Sequence, residues 1–118
     1  MDQEIKQKSR TLAAKTVQLY KHLSAHKKET VLSEQLLRSG ANVGANLAKS
    51  EMALGKNDQL AKVYLALQDC AEAKYWLEVL NDNDFLTEFE FTDNLKECDE
   101  MGKVLISLLK KLRAEMKP

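Results

Sequence analysis

Residues 36–53 read LLRSGANVGANLAKSEMA, and this stretch decides the fold. Leu36, Gly40, Val43 and Leu47 recur at helical spacing and form one apolar stripe. Leu37, Ala41, Gly44 and Ala48 form a second, narrower stripe beside it. A glycine inside a helix costs about 1 kcal/mol relative to alanine. Two of them in one helix are better explained by close approach of a neighbouring backbone than by helix formation. Gly40, Gly44 and Ala48 are therefore read as helix-packing positions, on a helix pressed against neighbours on more than one side.

Three further helical patterns flank this one. The first runs from about Asp2 to His22–Ala25, with Ile5, Leu12, Thr16, Leu19 and Leu23 on one face. Thr30 or Ser33 caps the second helix, which ends near Ala53. Leu54-Gly55-Lys56-Asn57 is the clearest turn, with Gly55 suited to a left-handed helix stop. Asn57 is expected to cap the third helix, whose inner face reads Leu60, Tyr64, Leu67, Ala71 and Leu77. Asn81-Asp82-Asn83-Asp84 breaks the pattern. Residues 85–91, FLTEFEF, alternate like a strand but have no partner strand, so they read as an ordered loop over the bundle end. Thr92 is expected to cap the fourth helix, which shows Leu95, Cys98, Gly102, Leu105, Leu109 and Leu112. Four helices with short connections predict an all-α, antiparallel up-down-up-down four-helix bundle.

Composition bounds the rest. The 118 residues are enough for one domain, over 1–118, and one core. Hydrophobic residues make up 44% and charged residues 31%, so the chain is globular rather than disordered. No apolar run approaches the roughly 18 residues of a membrane span. The N-terminus, MDQEIKQKSR, lacks the apolar centre of a signal peptide. A cytoplasmic location, with no membrane partner, is the resulting expectation. Cys70 and Cys98 have no metal-type spacing and read as free thiols packed in the core.

Catalytic and metal constellations are missing from the sequence. Bundle di-iron sites need Glu-x-x-His pairs. Leu19 and Leu23 stand three residues before His22 and His26, so the motif is absent. His22 and His26, spaced i, i+4, could share a metal, but fit better as solvated residues at a helix C-terminus. There is no Gly-rich phosphate loop, G-x-S-x-G or H-E-x-x-H. The chain is read as a non-enzyme with no cofactor and no catalytic or metal residue.

The charge cancels globally but not locally. Eighteen basic residues balance eighteen acidic ones. Residues 1–28 carry a balance of +5, residues 81–100 carry −7 and residues 101–118 carry +4. In the expected topology Lys6, Lys8 and Arg10 lie near Lys110, Lys111 and Arg113, with Lys56 and Lys117 close by. Those first six are the candidate nucleic-acid-binding residues. One reading is an ordinary solvated surface. The other is an electrostatic footprint for RNA or DNA.

The order Arg38-Ser39-Gly40, then Asn42-Val43-Gly44-Ala45-Asn46-Leu47-Ala48, carries a family resemblance. It resembles the Arg-Ser-Ala-x-Ser-Ile-x-Ala-Asn-Ile-Ala-Glu signature of the four-helix-bundle proteins encoded in intervening sequences of bacterial 23S rRNA genes. Gln35-Leu36-Leu37 and the run from Ala71 to Glu78 look similar too, and the likeness covers Ser9 to Leu112. Lys49 stands where that family usually has Glu, and Asn42 where it often has Ser. The family has no agreed biochemical activity. It is similar in fold to the ring-shaped accessory protein of diversity-generating retroelements, which binds nucleic acid and reverse transcriptase. The resemblance implies a homo-oligomer, with a pentamer favoured, and makes RNA or DNA and a partner protein the further candidate partners. It singles out Arg38 and Asn46 as family-motif residues. The competing expectation is a protein-interaction scaffold with no nucleic-acid role.

Overall fold

The computed structural model describes residues 1–117 and consists of four α-helices. These are α1 (Gln3–His26), α2 (Val31–Glu51), α3 (Lys56–Asp82) and α4 (Glu88–Glu115). Each helix packs on the next and α4 returns to α1, while the backbones of the diagonal pairs stay apart on either side of the shared core. This is the ring of neighbours of an up-down-up-down bundle. It is long and narrow, 54 × 21 × 21 Å. Leu12, Leu23, Leu36, Val43, Val63, Leu77, Leu80 and Leu105 are completely buried along its axis.

The α1–α2 seam is built from small residues. A Cβ placed on Gly40 would lie 2.6 Å from Cγ2 of Thr16, closer than real Cβ atoms approach anything. On Gly44 it would lie 3.2 Å from Oγ of Ser9. The two glycines thus face hydroxyl-bearing residues one helix over. Those buried hydroxyls are satisfied locally: Ser9 donates to the Lys6 carbonyl at 2.7 Å and Thr16 to the Ala13 carbonyl at 2.8 Å. Back-bonding of this kind leaves no unpaired group in the seam, so the helices close without desolvation cost. Ala48 lies on the same groove but is exposed.

The turns differ from the sequence reading. Thr30 is the N-cap of α2 but makes no side-chain cap bond. The preceding Glu29 does so instead, its carboxylate accepting from the N–H groups of Leu32 and Ser33 at 2.7 and 2.9 Å. Two orphan donors and the positive end of the helix dipole are satisfied together. The α1–α2 turn passes through a left-handed residue, Lys28 at φ 56°, not a glycine. Gly55 does not adopt the expected left-handed stop: its φ is 167°, which is extended backbone, and it rather than Asn57 is the N-cap of α3. Asn57 falls inside the first turn.

The fourth helix starts earlier than expected. Its N-cap is Thr87, not Thr92. Thr87 accepts from the Glu90 N–H at 3.1 Å, and Glu90 accepts from the Thr87 N–H at 2.8 Å. This reciprocal capping box winds Glu88 to Phe91 into helix, so the FLTEFEF stretch is not one loop. Thr92 donates back to the Glu88 carbonyl from within the helix.

In α3 the buried face is Val63, Ala66, Cys70, Ala73, Leu77 and Leu80. Of the expected face, Leu77 is fully buried and Leu60 and Leu67 are half-buried against the core, whereas Tyr64 and Ala71 are exposed. The helix is apolar on several sides, so its periodicity alone did not select which side the bundle would cover. Gly102, on the half-buried α3-facing side of α4, has open space where a Cβ would stand. Gly102→Ala should therefore recover helix propensity without a clash. An increase of about 0.5–1 kcal/mol in unfolding free energy is expected from urea titration.

Candidate functional site

The predicted basic end is divided by the structure into distinct surfaces. The first is an open cleft of about 570 Å³ where the N-terminal turns of α1 separate from the C-terminal half of α4. Ile5, Val104, Leu108 and Leu112 supply apolar walls, and Lys8, Lys56, Lys103 and Lys111 supply cations. The second is the α1–α2 groove, lined by Lys6 and Arg10 beside Gly44 and Ala48. Lys110 and Arg113 line neither. Successive residues of a helix are about 100° apart, so Lys110, Lys111 and Arg113 point in different directions around α4.

Ion pairs run along the α1–α4 seam from the cleft to the opposite end. Lys8 pairs with Glu100 at 3.8 Å, Lys15 with Asp93 and Glu97 at 3.0 and 3.2 Å, and His22 with Glu90 at 3.6 Å. Burial alone would lower the Lys15 pKa, but the hydrogen bonds to Asp93 and Glu97 outweigh it and raise it. The excess positive charge of residues 1–28 and the excess negative charge of residues 81–100 thus neutralise one another across this seam. Single partly exposed pairs are worth about 0.2–1 kcal/mol each, so the row sets register more than stability.

Several candidate cations are consequently occupied. Lys6 pairs with Glu51 at 2.9 Å, and Lys8 with Glu100. Lys56 pairs with Glu115 at 2.8 Å and holds that carboxyl below its usual value. Arg10, Lys103, Lys110, Lys111 and Arg113 are exposed and make no ion pair among the described residues, and the same holds of Lys117 beside them and of Lys21, Lys27, Lys28, Lys49 and Lys96 elsewhere on the surface. Lys103, in the cleft wall, is the cation that the sequence reading did not single out. Its spacing of eight residues before Lys111, on one helix face, was the available signal.

The two family-motif residues separate. Arg38 projects into solvent with only Glu34 beside it, at 3.3 Å. Asn46 is half-buried, and its side-chain amide donates to Asp69 of α3 at 2.6 Å. Burial raises the Asp69 pKa, and the bond from Asn46 acts against that rise. Asn46 thus ties α2 to α3, whereas Arg38 has an open side.

No group of three or more His, Cys, Asp or Glu side chains among the described residues could hold a metal ion. His22 and His26 have ring centroids 5.0 Å apart, with Glu90 beside His22 only. No helix among the described residues is long and apolar enough to cross a membrane.

Comparison with known proteins adds the following. The family model described as 23S rRNA-intervening sequence protein matches residues 1–107. A solved structure of a protein with unknown function, from the S23 ribosomal protein family of Bacteroides thetaiotaomicron VPI-5482, is 38% identical. It superimposes with a TM-score of 0.88, covering 90% of this chain and 98% of that one. No curated protein gives a match.

Proposed function

The chain belongs to the 23S rRNA-intervening sequence protein family, and from that premise we propose that it is a non-enzymatic bundle module that self-associates and holds RNA or DNA through its basic end. The observation that carries the reading is the set of exposed, unpaired cations Arg10, Lys103, Lys110, Lys111 and Arg113. Cations already paired with carboxylates give little to a phosphate. These five are free to do so, and a link to rRNA genes in the family name points to a polyanion. Because they are spread over several surfaces around this half of the bundle, they suit backbone contact more than base reading.

Self-association is supported by the outward face of α3. Tyr64, Leu65 and Tyr75 are 53%, 43% and 55% exposed, with exposed Ala71 between them. Covering such a face is the ordinary role of a second subunit. A ring, five-membered by the earlier resemblance, repeats the basic end around an axis and multiplies weak contacts by avidity. The module then acts in the cytoplasm, as one domain, with no membrane partner. Light scattering at micromolar concentration should return a mass several times 13.4 kDa. A monomer would remove the assembly part of the proposal. Fluorescence anisotropy with rRNA fragments at low and moderate salt tests the nucleic-acid part.

The tyrosine face also favours a second reading, a protein-interaction scaffold. Oligomer without nucleic-acid binding at low salt would select it.

A further inference from the structure

Cys70 on α3 and Cys98 on α4 face each other across a closely packed seam. The Cys70 thiol donates to the Cys98 backbone carbonyl at 3.1 Å, so one sulfur touches the other helix's backbone. Small buried residues on α3, Ala66 and Ala73, flank Cys70 one turn to either side. Both cysteines are buried and free, yet both line an α3–α4 groove of about 320 Å³ that opens to solvent. Gly102 leaves this groove unfilled. Lys74, one turn beyond Cys70, pairs with Asp99 at 3.2 Å at the same place.

The two thiols are not equivalent. Cys98 can donate its S–H to Cys70, which holds the Cys70 thiol below its ordinary value against the opposing effect of burial. Donation to Cys70, and burial with it, push Cys98 up. Cys70 is thus the more easily deprotonated of the two, an order suited to attack by Cys70 followed by resolution by Cys98.

We propose that Cys70 and Cys98 form a peroxide-oxidisable dithiol, whose disulfide reversibly staples α3 to α4. The Cys70 thiolate attacks one oxygen of hydrogen peroxide. The O–O bond breaks, giving a sulfenic acid on Cys70 and hydroxide, which takes up the proton lost by Cys70. The Cys98 sulfur then attacks the Cys70 sulfur. The S–S bond forms, and the departing hydroxide leaves as water with the Cys98 proton. Two thiols are oxidised, one peroxide is reduced, and two waters are released. Hydrogen peroxide is small enough to enter a groove of about 320 Å³. Bridges between thiols in reducing compartments are characteristically of this transient kind.

The test treats the folded full-length chain with a few equivalents of hydrogen peroxide and reads the intact mass. The expected product has lost two hydrogens, and trypsin then yields peptide 63–74 joined to peptide 97–103. Dithiothreitol should restore the starting mass. In Cys98→Ala, dimedone should label Cys70; in Cys70→Ala, Cys98 should remain unlabelled under the same conditions. Circular dichroism establishes that both variants stay helical. If a variant does not fold, the linked peptide from the wild-type chain decides alone. Unchanged thiols in the native chain, a bridge only between separate chains, or methionine oxidation in place of the linked peptide would each overturn the proposal.

Discussion

Gly40→Leu is expected to lower the unfolding free energy by about 3 kcal/mol or more, with a parallel fall in the urea midpoint. A single Cβ at this position already comes within 2.6 Å of Thr16 Cγ2 and 2.9 Å of its Oγ1. Thr16 is completely buried and its hydroxyl is committed to the Ala13 carbonyl, so it has no free direction in which to turn. The strain must pass to the backbone and separate α1 from α2. Overpacking of a dense core typically costs about 1–3 kcal/mol, and a leucine against a fixed neighbour falls at the upper end or beyond. A typical small domain has only about 5–15 kcal/mol in total.

Gly40→Ala should cost less, and here the partner can be relieved. Thr16→Ala removes both closest atoms, leaving Thr16 Cβ at 3.1 Å. The double variant should be more stable than the sum of the two single changes by about 0.5–3 kcal/mol, the range for directly coupled sites. Strict additivity would mean that the two residues do not press on each other. Gly44 offers the internal contrast. Its nearest neighbour is the Ser9 hydroxyl at 3.2 Å, which can give by a few tenths of an ångström. For Gly44→Ala the gain of about 1 kcal/mol in helix propensity should roughly cancel the contact.

Which parts of this architecture were readable in advance follows a physical division. Four periodic segments were legible because burial of an apolar stripe is what makes a marginal helix form. The glycines of α2 were conspicuous because each works against local propensity, although the sequence did not say that Thr16 and Ser9 were the residues opposite. The caps were missed for a different reason. Several residues near each boundary could serve, and hydrogen-bond geometry chose among them. Thr87-Glu88-Phe89-Glu90 is a capping-box pattern that was visible in the sequence, but the alternating FLTEFEF around it drew the reading toward extended chain. The inner side of α3 was ambiguous for want of contrast between its faces. The charge blocks were legible as blocks, but the pairing between them along the α1–α4 seam was not. Only the antiparallel register of α1 and α4 brings Lys8, Lys15 and His22 beside Glu100, Asp93, Glu97 and Glu90.

That register also sharpens what is expected of the candidate nucleic-acid interface. Reversing Lys110, Lys111 and Arg113 to glutamate should abolish binding to RNA or DNA while leaving the solution mass unchanged. None of the three is in an ion pair among the described residues, and all three are exposed, so reversal breaks no ion pair between helices; it removes only the support that Lys111 lends the Glu115 carboxylate within α4. It replaces three attractive charges with three repulsive ones per subunit, and assembly repeats the change. For the parent protein, log affinity should fall linearly with log salt, by about 0.9 per phosphate neutralised on duplex DNA. Neutralising Lys6 and Lys8 should have a smaller effect, since Glu51 and Glu100 already engage them. Lys103→Ala should weaken binding and reduce the salt slope by about one unit if the cleft wall contacts a phosphate. Equal binding by the reversed variant would place any nucleic-acid contact elsewhere. A greater loss from Lys6 and Lys8 than from the α4 cations would mean that binding breaks the ion pairs between helices. The bundle itself would then have to open to admit its ligand.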